Sequence, residues 1–216
     1  LSPRLSSHLC EPFCEIHPFD AEILGLEDAS LVQIESDAGS ILVRALITER
    51  QRRGSLFVPM HWSGIQASQA RVDSLIPSLV DPVSGQPATK NAAVSIEAFE
   101  AKWQAFAVTS NRPMPNAAYW ASARANSGWR TELAGIMEPD SKEELTRSLF
   151  GLQPDAPVLS YHDGATGHFR CAAFDGDRLV GALFMADGPV DVSRQFITDQ
   201  LAARFDDSSS RWRVIA

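Results

Sequence analysis

Between residues 13 and 58 the chain alternates short strand-like and turn-like pieces. Residues 13–16, 31–36, 41–47 and 54–58 are apolar-rich and, from residue 31 on, rich in β-branched side chains. Asp37-Ala38-Gly39 turns between two of them. Pieces at this spacing, closed by a last strand at 92–96, point to a small β-barrel rather than an alternating β-α-β sheet. One short helix interrupts them. Pro18 suits a first helical turn, where its missing N–H costs nothing, and Gly25 suits the cap that ends it.

From Ser63 to Lys90 the sequence is dominated by Gly, Ser, Gln and Pro. A loop of that length inside a compact domain is a binding element or a disordered one, so its amides are expected to exchange faster than those of the strands at 31–36, 41–47 and 92–96. His61-Trp62 opens the loop. Strand ends on barrels carry sites, so either ring is a candidate to face a ligand; a surface or capping role is the alternative. Asp81-Pro82-Val83-Ser84-Gly85-Gln86-Pro87 is turn chemistry followed by Lys90. It reads as a solvated loop, or as a cradle for an anionic or heterocyclic ligand with Lys90 as the charge. Arg50, Arg52 and Arg53 read as a solvated turn. His8, Cys10, Cys14 and His17 cluster locally, but Cys-x3-Cys is a poor zinc spacing. A buried thiol at Cys14 and a structural His17 are expected.

Past about residue 98 the character changes, and a domain boundary is placed near residue 100. Phe99, Trp103 and Phe106 lie at helical spacing, and residues 117–125 are alanine-rich and read as helix. Ser141-Lys142-Glu143-Glu144 is a capping box for a helix that stops at Gly151. Residues 158–161, 168–174 and 178–185 read as strands, with Asp175-Gly176 as a hairpin turn between the last two. An amphipathic helix is expected from 191 to 205.

The formal net charge is −8. A nucleic-acid binder carries a basic excess, so that partner is excluded. No apolar run approaches the length of a membrane span, and three cysteines fit a reducing, cytoplasmic compartment. The chain starts at Leu1 with no signal-peptide pattern and reads as a fragment of a longer protein. G-x-S-x-G, Walker, G-x-G-x-x-G and H-E-x-x-H motifs are lacking.

Three blocks carry a resemblance: residues 17–26 (HPFDAEILGL), residues 57–62 (FVPMHW), and residues 81–87 (DPVSGQP) with Lys90. In order and spacing they closely resemble the molybdopterin-dinucleotide-binding domain of prokaryotic assimilatory nitrate reductases. The stretch Trp129 to Gly135 is similar to the extension of the same group. The resemblance implies a double-psi β-barrel-like domain over residues 1–98 and a small α+β docking or scaffolding domain over 99–216. It implies that His61, Trp62, Gln86 and Lys90 bind the cofactor, molybdenum bis(molybdopterin guanine dinucleotide), and that no residue here is catalytic. The parent would reduce nitrate, carry an iron–sulfur cluster on ligands outside this chain, pack against upstream domains, and draw electrons from a donor protein or an NADH-linked reductase. The isolated chain is expected to be inactive. Asp73 stands where the family often has Asn, and Thr89 replaces an aromatic. The segment 168–183 is similar to the C-terminal hairpin of FAD-dependent nitrite-reductase-type enzymes. The alternatives are another molybdopterin oxidoreductase, such as a formate dehydrogenase, or a free-standing interaction module.

Overall fold

The computed structural model describes residues 10–88 and 91–216. The chain divides into two compact units after Glu100.

In the first unit β1 (Phe13–Ile16) leads directly into helix α1 (Pro18–Ile23). His17 accounts for the sharp start: its Nδ1 accepts the Phe19 N–H at 3.0 Å, capping the helix, while Pro18 fills the first position. A tight hairpin joins β2 (Leu31–Ser36) to β3 (Gly39–Ile47), and β4 (Ser95–Ala98) returns along β2. The order is β1-β3-β2-β4, with β1 parallel to β3 and the other pairs antiparallel. Cys14, Ile16, Val32, Ile34, Ile41 and Val43 are fully buried, so apolar side chains from three of the strands form the core. Among the described residues this is an open four-stranded sheet, with β1 and β4 at its edges.

Two strand boundaries in this unit differ from expectation. Residues 54–58 do not form a strand of the sheet. Phe57 alone pairs with Glu15, through N–H···O bonds of 2.8 and 3.1 Å, because the turn at Gly54 (φ 67°) and Pro59 leave room for a single bridge. The strand expected at 92–96 is shifted to Ser95–Ala98, where it pairs with Val32 to Glu35 and its apolar Ile96 meets Ile34.

The second unit is a six-stranded antiparallel sheet covered on both faces. The strands are β5 (Trp103–Thr109), β6 (Tyr119–Ala125), β7 (Gly128–Gly135), β8 (Leu159–His162), β9 (Phe169–Asp175) and β10 (Arg178–Ala186). Their order is β6-β7-β5-β10-β9-β8. Helix α2 (Lys142–Phe150) buries Leu149 and Phe150 against one face, with Trp103, Leu133, Leu183 and Met185. Helix α3 (Arg194–Asp199), the 3-10 turn Gln200–Ala202 and the tail after α4 (Ser208–Trp212) cover the other. Ile197, Leu201 and Ile215 there meet Phe106, Val108 and Phe184.

This two-sided burial explains two misreadings. The aromatic spacing at 99–106 and the alanines of 117–125 suggest helices, but Trp103–Thr109 and Tyr119–Ala125 are strands. β5 is a central strand buried on both faces, so it shows a nearly continuous apolar run instead of alternation. In β6 and β7 small residues are used for close packing: a Cβ on Gly135 would come within 2.4 Å of the Trp103 ring. Helix propensity yields to tertiary fit here. Helix α3 is shorter than the helix expected over 191–205. It begins after Ser193, whose hydroxyl caps it by accepting the Phe196 N–H, and tightens to a 3-10 turn at Gln200.

Candidate functional site

An apolar trough of about 1080 Å³ lies in the first unit. Ile16 of β1, Ile34 of β2 and Ile96 of β4 all line it, so it extends from one edge strand of the open sheet to the other. Residues 54–61 supply one wall, and Phe57 and Met60 are 50% and 67% exposed there. The segment is held to α1 by the Gly54 N–H, which donates to Asp20 at 2.7 Å, and by the Arg53 guanidinium, 4.1 Å from the Phe19 ring centroid. Arg50 pairs with Glu15 at 3.1 Å. The turn is exposed, as expected of a solvated one, and is anchored at both ends.

His61 lines the trough and is exposed. Its ring lies 6.4 Å from that of Trp62. Trp62 does not line the trough and is half-buried, and its indole Nε1 is buried with no hydrogen-bond partner among the described residues. An unpaired buried donor costs about 1–3 kcal/mol, which an acceptor supplied from outside would recover. The indole N–H is thus an unsatisfied donor beside the trough.

Gln86 lies in a separate element. Residues 79–88 form a small hairpin: Val80 and Pro87 are bridged, Asp81 N–H donates to Gln86 O at 2.8 Å, and Ala88 N–H donates to Leu79 O at 3.0 Å. The Asp81 Oδ1 accepts from Val83 N–H at 3.0 Å, Ser84 N–H at 2.7 Å and Ser84 Oγ at 2.9 Å. The Ser84 N–H, the Ser84 hydroxyl and the Val83 N–H together hold this carboxyl below its ordinary pKa. Gln86 is exposed on this frame. The turn residues of 81–87 are visible in the sequence, but the use of Asp81 as their common acceptor is not.

Lys90 and Thr89 lie outside the described residues, as does His8. Asp73 sits in a 3-10 turn, Val72–Leu75, and accepts from Arg71 Nη2 at 3.0 Å. That bond is the main cause of its lowered pKa, and it ties the carboxylate to a surface partner. Cys14 is fully buried, and burial pushes its thiol up to about 12, which makes it an inert packing group. No group of three or more His, Cys, Asp or Glu side chains among the described residues is arranged to hold a metal ion. No helix among them is long and apolar enough to cross a membrane.

Comparison with known proteins matches residues 2–93 to the family described as "Molydopterin dinucleotide binding domain". A nitrate reductase of Klebsiella oxytoca is 37% identical over 134 residues, 62% of this chain and 16% of that protein. The assimilatory nitrate reductase catalytic subunit of Bacillus subtilis is 41% identical over 95 residues, 44% of this chain and 13% of its own. The F420-dependent formate dehydrogenase subunit alpha of Methanocaldococcus jannaschii is 36% identical over 94 residues, 44% of this chain and 13% of its own. The chain thus spans less than one fifth of the length of these relatives.

Proposed function

We propose, from the premise that residues 2–93 are a molydopterin dinucleotide binding domain, that this chain is the cofactor-holding C-terminal part of an assimilatory nitrate reductase. The observation that carries the choice of reaction is the reach of the similarity. The first unit holds 100 residues, so at least 34 of the 134 residues shared with the Klebsiella nitrate reductase lie in the second unit. The 94 residues aligned with the formate dehydrogenase subunit, like the 95 aligned with the Bacillus nitrate reductase, are few enough for the first unit alone to contain them. Molybdopterin binding is common to both reactions, and the match that extends into the second unit is to a nitrate reductase.

In this reading His61, Trp62, Gln86 and Lys90 hold the cofactor, molybdenum bis(molybdopterin guanine dinucleotide). The Trp62 indole N–H donates to a pterin or phosphate acceptor, Gln86 offers both a donor and an acceptor to the nucleotide arm, and Lys90 offsets phosphate charge. When bound, the cofactor supplies two-electron oxygen-atom transfer at molybdenum. The residues of this chain orient it and remove water from one side. The iron–sulfur cluster and the nitrate site belong to the rest of the protein, which draws electrons from a donor protein or an NADH-linked reductase in the cytoplasm.

The open sheet fits the larger part of a double-psi β-barrel. Its trough has apolar walls from edge to edge, as the interior of a barrel does. The second unit, with its own two-sided core, serves as a docking or scaffolding domain.

The test is enzymatic. The full-length protein, given reduced viologen, is expected to produce nitrite from nitrate and not to oxidise formate, while residues 1–216 alone produce no nitrite. Formate oxidation without nitrate reduction would move the protein to the other branch of the family. Nitrite formation by residues 1–216 alone would contradict a purely cofactor-holding role.

A further inference from the structure

We infer that Asp81 is a positioning residue: it fixes the 79–88 hairpin so that Gln86 meets the nucleotide arm of the cofactor in a preformed geometry. This rests on the cofactor reading above and adds to it a residue that does not itself touch the ligand.

Every residue from Ser78 to Ala88 is exposed, and Leu79, Val80 and Val83 are 62%, 60% and 94% exposed. No apolar core holds the shape of this element, so polar contacts within it have to. They converge on one carboxylate. Asp81 accepts three hydrogen bonds on a single oxygen, from Val83 and twice from Ser84. Ser84 passes the constraint on: its hydroxyl donates to Asp81 and accepts the Gln86 N–H at 3.2 Å. The Asp81 N–H closes the ring by donating to Gln86 O. Both backbone groups of Gln86 are therefore fixed, directly or through Ser84, by Asp81, and the Gln86 side chain projects from a frame set before any ligand arrives. Preorganisation of this kind lowers the entropy lost on binding. Gly85 completes the turn at φ 68°, a conformation that L side chains rarely adopt.

One carboxylate oxygen, Oδ1, is thus turned onto the loop's own N–H and O–H groups. Asn at this position keeps the acceptor oxygen for the two N–H groups, whereas Ala removes it.

The experiment uses the full-length protein carrying Asp81→Ala, Asp81→Asn or Gln86→Ala. Guanine nucleotide released by acid is measured per protein, together with amide hydrogen exchange across residues 82–86. Asp81→Ala is expected to speed exchange at Val83, Ser84 and Gly85 and to lower nucleotide retention about tenfold. Asp81→Asn is expected to restore both. Full retention in Asp81→Ala with an opened hairpin, beside a loss in Gln86→Ala, would overturn the positioning role and leave the cofactor reading intact. An Asp81→Asn variant as defective as Asp81→Ala would also overturn it, because charge and not hydrogen bonding would then be at work. Full retention in both Asp81→Ala and Gln86→Ala would overturn the nucleotide reading and this inference together.

Discussion

Arg194 lays its guanidinium along both carboxylate oxygens of Glu132, at 3.1 and 3.2 Å, and ties α3 to the middle of β7. The Glu132 side chain is only 6% exposed. The same guanidinium lies 5.1 Å from the centroid of the fully buried Phe106 ring and donates to Val192 O. One cation thus fastens a short helix, a strand and a loop of the second unit.

Removing it leaves a buried carboxylate with less compensation. Arg194→Ala is expected to destabilise the second unit by about 3 kcal/mol, near the low end for a broken buried pair, since Arg130 stays 3.8 Å from Glu132. Urea denaturation followed by tryptophan fluorescence measures this. A loss below about 1 kcal/mol would mean that the pair behaves as a surface contact.

Alkali is expected to act through the buried thiols. Burial raises both Cys14 and Cys171 from 9.0 to about 12, the latter despite the Thr146 hydroxyl, which works against the shift. A raised folded-state pKa means that the folded chain holds its proton where the unfolded chain loses it. The resulting stability is complete below pH 9 and is lost as pH rises toward about 12. Denaturation midpoints at pH 8 and about pH 10.5 should fall more in the wild type than in a Cys14→Ala, Cys171→Ala double variant. Equal falls would show that other groups dominate.

Trp62→Phe separates the ligand-free chain from the loaded protein. In residues 1–216 alone the change removes an orphan donor along with some apolar area, so stability is expected to stay within about 1 kcal/mol of wild type. In the full-length protein the same change is expected to lower molybdenum content. Destabilisation of the free chain by several kcal/mol would assign the indole to packing.

Hydrogen exchange is expected to divide the long loop in two. Residues 63–76 are fastened to the sheet: Leu42 N–H donates to Gln69 O at 2.6 Å, Ser36 Oγ donates to Leu75 O at 2.9 Å, and Ala67, Ala70 and Leu75 are buried. Residues 78–88 bury nothing. Slow exchange in the first part and fast exchange in the second, compared with β2 and β3, is the expected pattern. Uniformly fast exchange would mean that the first part is not a fixed portion of the unit.

The elements legible in the sequence are those with local chemistry at their ends. His17-Pro18 starts α1. Ser141 accepts the Glu144 N–H at 3.2 Å, and Gly151 at φ 68° stops α2, as the capping box and the glycine imply. Asp175-Gly176 joins β9 to β10. What was not legible depends on distant partners. Trp103 to Thr109 becomes a strand because helices cover both of its faces, and Ala121 and Ala123 are strand residues because they pair with Glu132 and Arg130. For the site, the turn at 81–87 was readable as a turn. The convergence of its hydrogen bonds on Asp81 was not, since any of Asp81, Ser84 or Gln86 has the chemistry to cap it. The cofactor roles of His61, Trp62, Gln86 and Lys90 come from resemblance, and a side chain's ligand has no signature in its own spacing.

The most direct measurement is the molybdenum and guanine-nucleotide content of the full-length protein with Gln86→Ala and Lys90→Ala combined. If these residues hold the cofactor, both contents should fall together, by about tenfold or more, with circular dichroism unchanged. Wild-type content of molybdenum and nucleotide in the folded double variant would contradict the account.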